Sequence, residues 1–143
     1  MGVFEIDRGR SAAARALARL LGCPRAGRNV HGELRVRAIA QREIWDRWFG
    51  RDHIRSVQWI ERQRLVESFR GADFTFDVCA DQRGMLFQPL GMQLFRIPVP
   101  ASLELRIDAG VTGSDDGWEV QVAVAAPKLG VICSYTGEIS QVT

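Results

Sequence analysis

The sequence has little of what marks most catalytic or metal-binding families. Its three cysteines, Cys23, Cys79 and Cys133, are far apart and odd in number. No CxxC and no Cys/His ligand spacing accompanies them, so each reads as a small buried apolar residue or a free thiol, and no metal is expected. The two histidines, His31 and His53, are isolated and read as surface or turn residues. There is no GxSxG, Ser-His-Asp order, P-loop or dinucleotide fingerprint, and Gly9, Gly22, Gly27 and Gly32 do not form a phosphate-binding run. No segment approaches the roughly 18 consecutive apolar residues of a membrane helix. Met1 to Arg10 mixes charges among its apolar residues and lacks the apolar core of a signal peptide. These absences lead us to expect a cytoplasmic protein that works without metal, nucleotide or other cofactor.

What is present fits one domain over residues 1–143, long enough to bury a core. The net charge of +2 conceals an asymmetry: residues 1–70 hold 15 Arg against 8 acids, and residues 71–143 hold 3 Arg and 1 Lys against 9 acids. A basic half is one signature of nucleic-acid binding. Here Glu33, Glu43, Asp46, Asp52 and Glu61 are interleaved with the arginines and no recognition motif is present. A solvated mixed-charge surface, with no nucleic-acid partner, is the reading this favours.

One helix is expected, over about 11–21. Ser11 stands where an N-cap belongs, Gly22 and Pro24 form the stop, and the alanine- and leucine-rich run between them has high helix propensity. Ala13, Leu17, Leu20 and Leu21 would form its apolar face. After a loop at Pro24–Asn29, the chain alternates apolar and polar residues with period two over about 32–140. The stretch 33–49 is long for one strand, so a bend or bulge near Gln41-Arg42 is expected. Turns are expected at 50–53, at Arg62-Gln63, at Asp81–Gly84 and at Gly113–Gly117. Gly91 to Pro100 is rich in apolar residues but carries Pro98 and Pro100, which suggests an irregular apolar loop or edge segment that would close the mouth of a pocket. Asp77 and Asp108 alternate with apolar residues and are expected to be exposed. The whole reads as a mainly β fold: an antiparallel up-and-down β-barrel or half-barrel, calycin-like, with one N-terminal helix.

The strongest functional signal lies in Trp45-Asp46-Arg47-Trp48-Phe49. In a strand, Trp45, Arg47 and Phe49 share a face, as do Leu65, Glu67 and Phe69. A charge between apolar neighbours on a core-facing side is costly unless paired. If 50–53 is a tight hairpin, Arg47 faces Ser56 and Trp45 faces Gln58; a turn at Arg62-Gln63 then sets Gln58 opposite Glu67. All of these residues would share one face of a three-stranded sheet, with Arg47 within reach of Glu67. Arg47 would offer donors to a carboxylate, carbonyl or developing enolate, and Glu67 would orient it or act as a base. Trp45, Phe49, Ser56, Gln58, Leu65 and Phe69 would form the ligand-binding surroundings. A structural Arg–Glu pair inside a barrel is the competing reading. Tyr135, the only tyrosine, would donate to a ligand oxygen or serve as a core aromatic with its hydroxyl at the rim.

At these residues the chain resembles the bacterial domain-of-unknown-function 4166 family. The resemblance rests on Phe4-x-Ile6-x-Arg8-Gly9, Leu20-Leu21-Gly22-x-Pro24, Trp45-x-Arg47-x-Phe49-Gly50, Ser56, Leu65-x-Glu67, Phe74-x-Phe76, Pro98 to Leu103, Pro127-x-x-Gly130 and Tyr135-x-Gly137. Members often stand behind a saccharopine-dehydrogenase-like domain; this chain is expected to stand without one and to begin inside the usual family pattern. The expected function is binding of an apolar small molecule, lipid-, polyketide- or terpenoid-like, in a barrel pocket. Two alternatives stand beside it: a cofactor-independent cyclase or isomerase acting on such a compound, and an interaction module for a dehydrogenase-like partner. A homodimer is compatible with any of the three.

Overall fold

Period-two alternation in an antiparallel meander sends every second side chain to one face, and a meander of this length removes its own edges by closing. The computed structural model describes residues 1–140 and has this form. Its elements are β1 (Gly2–Arg8), α1 (Ala12–Leu20), β2 (Gly27–Ile39), β3 (Arg42–Phe49), β4 (Asp52–Glu61), β5 (Arg64–Phe69), β6 (Ala72–Ala80), β7 (Gly84–Leu94), β8 (Ile97–Pro98), β9 (Arg106–Ser114), β10 (Gly117–Ala126) and β11 (Gly130–Ile139). Each strand from β1 to β7 pairs with the next, β7 pairs with β9, and β9, β10 and β11 continue the meander. β11 returns to β1, from Gly2↔Ile139 to Arg8↔Cys133, and closes a barrel of ten antiparallel strands. The two-residue β8 is a flap on the far end of β7.

Several connections are shorter than the residue types suggest. The expected single bent strand over 33–49 is instead two strands, folded back at Ala40-Gln41 in register Ile39↔Arg42. No Gly, Pro, Asn or Asp marks this reversal; Ala40 itself takes the left-handed backbone, φ 54. The expected turn at 50–53 contracts to Gly50-Arg51, with Gly50 at φ 60. That shortening moves the β3–β4 register by two residues, so Trp45 faces Ser56 and Arg47 faces Ile54, in place of the expected Arg47/Ser56 and Trp45/Gln58 pairs. A shift of two keeps every side chain on its face. Gln58 does face Glu67. The stretch expected to be irregular is mostly regular: β7 runs to Leu94 and absorbs one bulge, between the pairs Thr75↔Gly91 and Phe76↔Pro89.

Ser11 caps α1, its Oγ accepting from the Ala14 amide at 3.1 Å, and Gly22 beyond the helix end adopts φ 70. The buried face differs from the expected one. Ala14 and Ala18 are buried, with Leu17 and Leu21 beside them, whereas Ala13 is exposed and Leu20 is 74% exposed. The helix lies so close to the barrel end that a Cβ on Gly9 would come within 2.6 Å of the Ala14 Cβ, and only small side chains fit that contact. Phe4, Ile6, Phe49, Ile132 and Cys133 form the core beneath it. α1 therefore stands at one end of the barrel, and the hairpins at 40–41, 62–63, 81–83 and 115–116 ring the other.

On the outer wall, Asp46 departs from the solvated-surface reading. It is buried under its partners: Arg55 Nε at 2.7 Å, Arg37 Nη2 at 3.0 Å and His53 Nε2 at 2.8 Å. The hydrogen bond from Arg55, aided by those from His53 and Arg37, overcomes burial and holds its carboxyl well below the usual carboxylate range. A depressed carboxyl stabilises the fold above its unfolded value of about 3.9, and that contribution is lost as pH falls toward the folded value. Asp46→Asn is thus expected to lower the thermal midpoint at neutral pH, with the gap to the parent narrowing as pH drops below about 4. Thermal melts across that range check this; a gap independent of pH would remove the charge from the account.

Candidate functional site

The inner faces enclose a cavity of about 610 Å³. That is the size of a pocket for a drug-sized molecule. Its walls are apolar over most of their extent, from Phe4, Phe49 and Phe69 through Phe74, Phe76 and Phe87 to Val120, Val122 and Val124. At the end away from α1, Ile60, Met85 and Trp118 both line the cavity and are exposed, Ile60 by 68% and Trp118 by 52%. The cavity therefore reaches solvent through an apolar mouth.

Polar groups converge on one wall. Arg47 from β3 donates through Nη1 to Ser56 Oγ at 2.8 Å and through Nη2 to Glu67 Oε1 at 2.9 Å. Ser56 from β4 donates in turn to Glu67 Oε1 at 2.5 Å, the short range of a hydroxyl–carboxylate bond. The Arg47 guanidinium lies 5.2 Å from the centre of the Trp45 ring, and the Trp45 indole donates to Glu43 at 2.9 Å near the mouth. Arg47 and Glu67 keep only 18% and 20% of their side-chain surface accessible. Burial opposes ionisation of Glu67, but the Arg47 charge and hydrogen bonds from Ser56, Arg47 and Gln58 outweigh it, and the carboxyl sits below its ordinary pKa. Burial likewise opposes the Arg47 charge and is outweighed by Glu67. The pair is an ionised, internally neutral unit.

Tyr135, on β11 three strands along the ring from β3, faces the same cavity, close enough to feel the Arg47 and Glu67 charges. Its ring packs on Phe49, centroids 4.9 Å apart, and on Phe4 at 6.1 Å. Burial is the main cause that pushes its phenol up to about 12, so it is a neutral donor at ordinary pH. No hydrogen bond holds its hydroxyl among the described residues. Glycine makes room for these rings: a Cβ on Gly32 or on Gly137 would run into the Phe4 ring.

Every residue singled out from the sequence, Trp45, Arg47, Phe49, Ser56, Gln58, Leu65, Glu67, Phe69 and Tyr135, lines this one cavity. Sequence reasoning missed the opposite wall, built by β6, β7, β9 and β10, although the alternation of Phe74-x-Phe76 and Val120-x-Val122-x-Val124 was its signal. It also missed that Cys23 and Cys133, 110 positions apart, both line the cavity wall, Cys23 packing against the core cluster that contains Cys133. Arg8, the register partner of Cys133, holds the Cys23 and Pro24 carbonyls and so fixes that packing. Among the described residues no cluster of three metal-ligating side chains occurs, and no helix is long and apolar enough to cross a membrane.

The barrel and its Arg47–Ser56–Glu67 wall coincide with a family match over residues 1–139, to Domain of unknown function (DUF4166). The chain belongs to the DUF4166 family. No curated protein and no solved structure matches it. In this DUF4166 barrel the family match spans β1 through β11, so both walls of the cavity fall within it.

Since Tyr135 is the only tyrosine, its phenol can be titrated without assignment. Absorbance of the native protein is expected to report a midpoint near 12. The denatured chain is expected to titrate near about 10. A native midpoint at the ordinary value would mean that the hydroxyl is not in the apolar interior.

Proposed function

We propose that this DUF4166 barrel binds an apolar small molecule, lipid-, polyketide- or terpenoid-like, with its body among the aromatic and valine walls and one polar end at the Arg47–Tyr135 cluster. The observation that carries this reading is a roomy apolar cavity with its spare donors gathered at one place. Arg47 spends two of its five N–H groups within the protein, and the Tyr135 hydroxyl spends none among the described residues. Because Arg47 and Glu67 cancel in charge, the matching ligand group is a neutral acceptor, a carbonyl or hydroxyl oxygen, in preference to a second carboxylate.

Turnover by a cofactor-independent cyclase or isomerase is a second reading. It is supported by the convergence of Arg47 and Tyr135 donors, which could stabilise a developing oxyanion. The depressed Glu67 carboxyl speaks against that residue as a general base, for which a value near the working pH is needed. In this second reading Glu67 holds Arg47 in place, and Tyr135 and Arg47 act on the substrate.

Native mass spectrometry of the purified protein, followed by denaturing extraction, is expected to yield a bound apolar compound carrying a carbonyl or hydroxyl. Val122→Trp, which fills the cavity opposite Tyr135, is expected to abolish its retention and leave a cooperative melt. Undiminished retention in that variant would move binding elsewhere. Arg47→Met is expected to weaken binding at least about tenfold and to cost about 3 kcal/mol of stability, because Glu67 is left buried without its partner. The double variant Arg47→Met/Glu67→Gln is expected to recover much of that stability but not the binding. Recovery of both would make the pair purely structural. Tyr135→Phe is expected to lower affinity about fivefold, the worth of one hydrogen bond; a far larger loss in conversion of the extracted compound would select the enzyme reading.

A further inference from the structure

We infer that the helix end of the barrel docks onto an anionic lipid surface. The two ends of the molecule differ sharply in charge. At the helix end, the segment around α1 carries Arg10, Arg15, Arg19 and Arg25, and the other connections add Arg51, Arg70, Arg96 and Lys128. The only acid in those connecting segments is Glu104; Arg25 is paired with Asp52 at the start of β4. At the opposite end, the hairpin loops hold Arg62 and Arg83 against Asp81, Asp115 and Asp116.

The same basic end carries exposed apolar side chains. Leu20, Phe95, Ile97 and Leu103 are 74%, 73%, 69% and 67% exposed. Phe95 and Arg96 form the two-residue tip between β7 and β8, both with the left-handed backbone of a tight hairpin turn, φ 49 and 68, which projects the two side chains from the barrel end. The Phe95 ring lies over Gly71, and Arg70 beside it donates to the Leu20 carbonyl at 3.2 Å, so Leu20, Arg70 and the Phe95 tip form one continuous patch. Leucine, isoleucine and phenylalanine set among arginines match the acyl chains and headgroups of an anionic bilayer. A second copy of the chain would meet this face with the same excess of cations, which disfavours a symmetric dimer. The aliphatic tips have no counterpart on a phosphate backbone, which disfavours nucleic acid.

Docking does not depend on what fills the cavity, so its test needs no ligand. The protein is expected to cosediment with phosphatidylcholine vesicles containing phosphatidylserine, not with phosphatidylcholine alone, and less as salt rises. Phe95→Ser/Ile97→Ser, and separately Arg51→Glu/Arg96→Glu, are expected to reduce the bound fraction about tenfold. Ile39→Ser, an exposed residue at the opposite end, is expected to change nothing. Failure to sediment, equal sedimentation with neutral vesicles, equal loss in Ile39→Ser, or a dimer that Phe95→Ser/Ile97→Ser dissolves would each overturn the inference.

Discussion

Closing ten strands into one ring forces alternate residues of every strand into a shared interior, and any charge among them must find its counter-charge there. Arg47 and Glu67 meet that condition across β4, with Ser56 bridging them by hydrogen bonds at 2.8 and 2.5 Å. The β3–β4–β5 wall is tied together by this unit. Loss of one member leaves an uncompensated ion in an apolar chamber, whereas loss of both leaves little to compensate. The position of the cluster also divides the cavity: aromatic packing of Phe4, Phe49 and Tyr135 lies toward the helix, and the apolar mouth lies beyond Trp45.

The barrel and most of one wall of its cavity were legible because period two is insensitive to the errors that sequence reading makes. The β3–β4 register was wrong by two residues, yet Trp45, Arg47 and Phe49 still face inward, since an even slip preserves the face. A slip of one would have put Arg47 on the outer wall. What was not legible has local causes. The reversal at Ala40-Gln41 lacks turn residues, because closure of the neighbouring strands, and not local preference, holds Ala40 at φ 54. The buried helix face was misread because the contact selects small side chains: Ala14 and Ala18 pack where Leu20 does not fit. Asp46 read as a surface acid because nothing in the sequence says that Arg37, His53 and Arg55 would close over it from two neighbouring strands. Cys23 and Cys133 reach the same wall only through closure of β11 on β1.

The molecule is polarised along the barrel axis as well as between inside and outside. The mouth is ringed by exposed apolar side chains and hairpins of mixed charge, and the helix end by arginines with a protruding aromatic tip. The charge asymmetry between the halves of the sequence, which looks like a property of chain order, becomes a property of barrel ends. The connections of the helix end fall largely before residue 71, and the acid-bearing turns of the mouth fall after it.

The remaining question is why a barrel that could be filled with valine and phenylalanine keeps an ion pair inside. Replacing a buried pair with well-packed apolar residues is often neutral or stabilising, so stability alone gives the pair no advantage. Specification of register is one use, and the two-residue turns on either side of β4 already supply it. What the pair does provide is a fixed guanidinium with three N–H groups unspent among the described residues, next to a phenol equally unspent, in a space that packing could have closed. In a low-dielectric chamber such donors are most costly when empty and most effective when filled. The binding role proposed for the cavity would give both the empty volume and the retained charge a use.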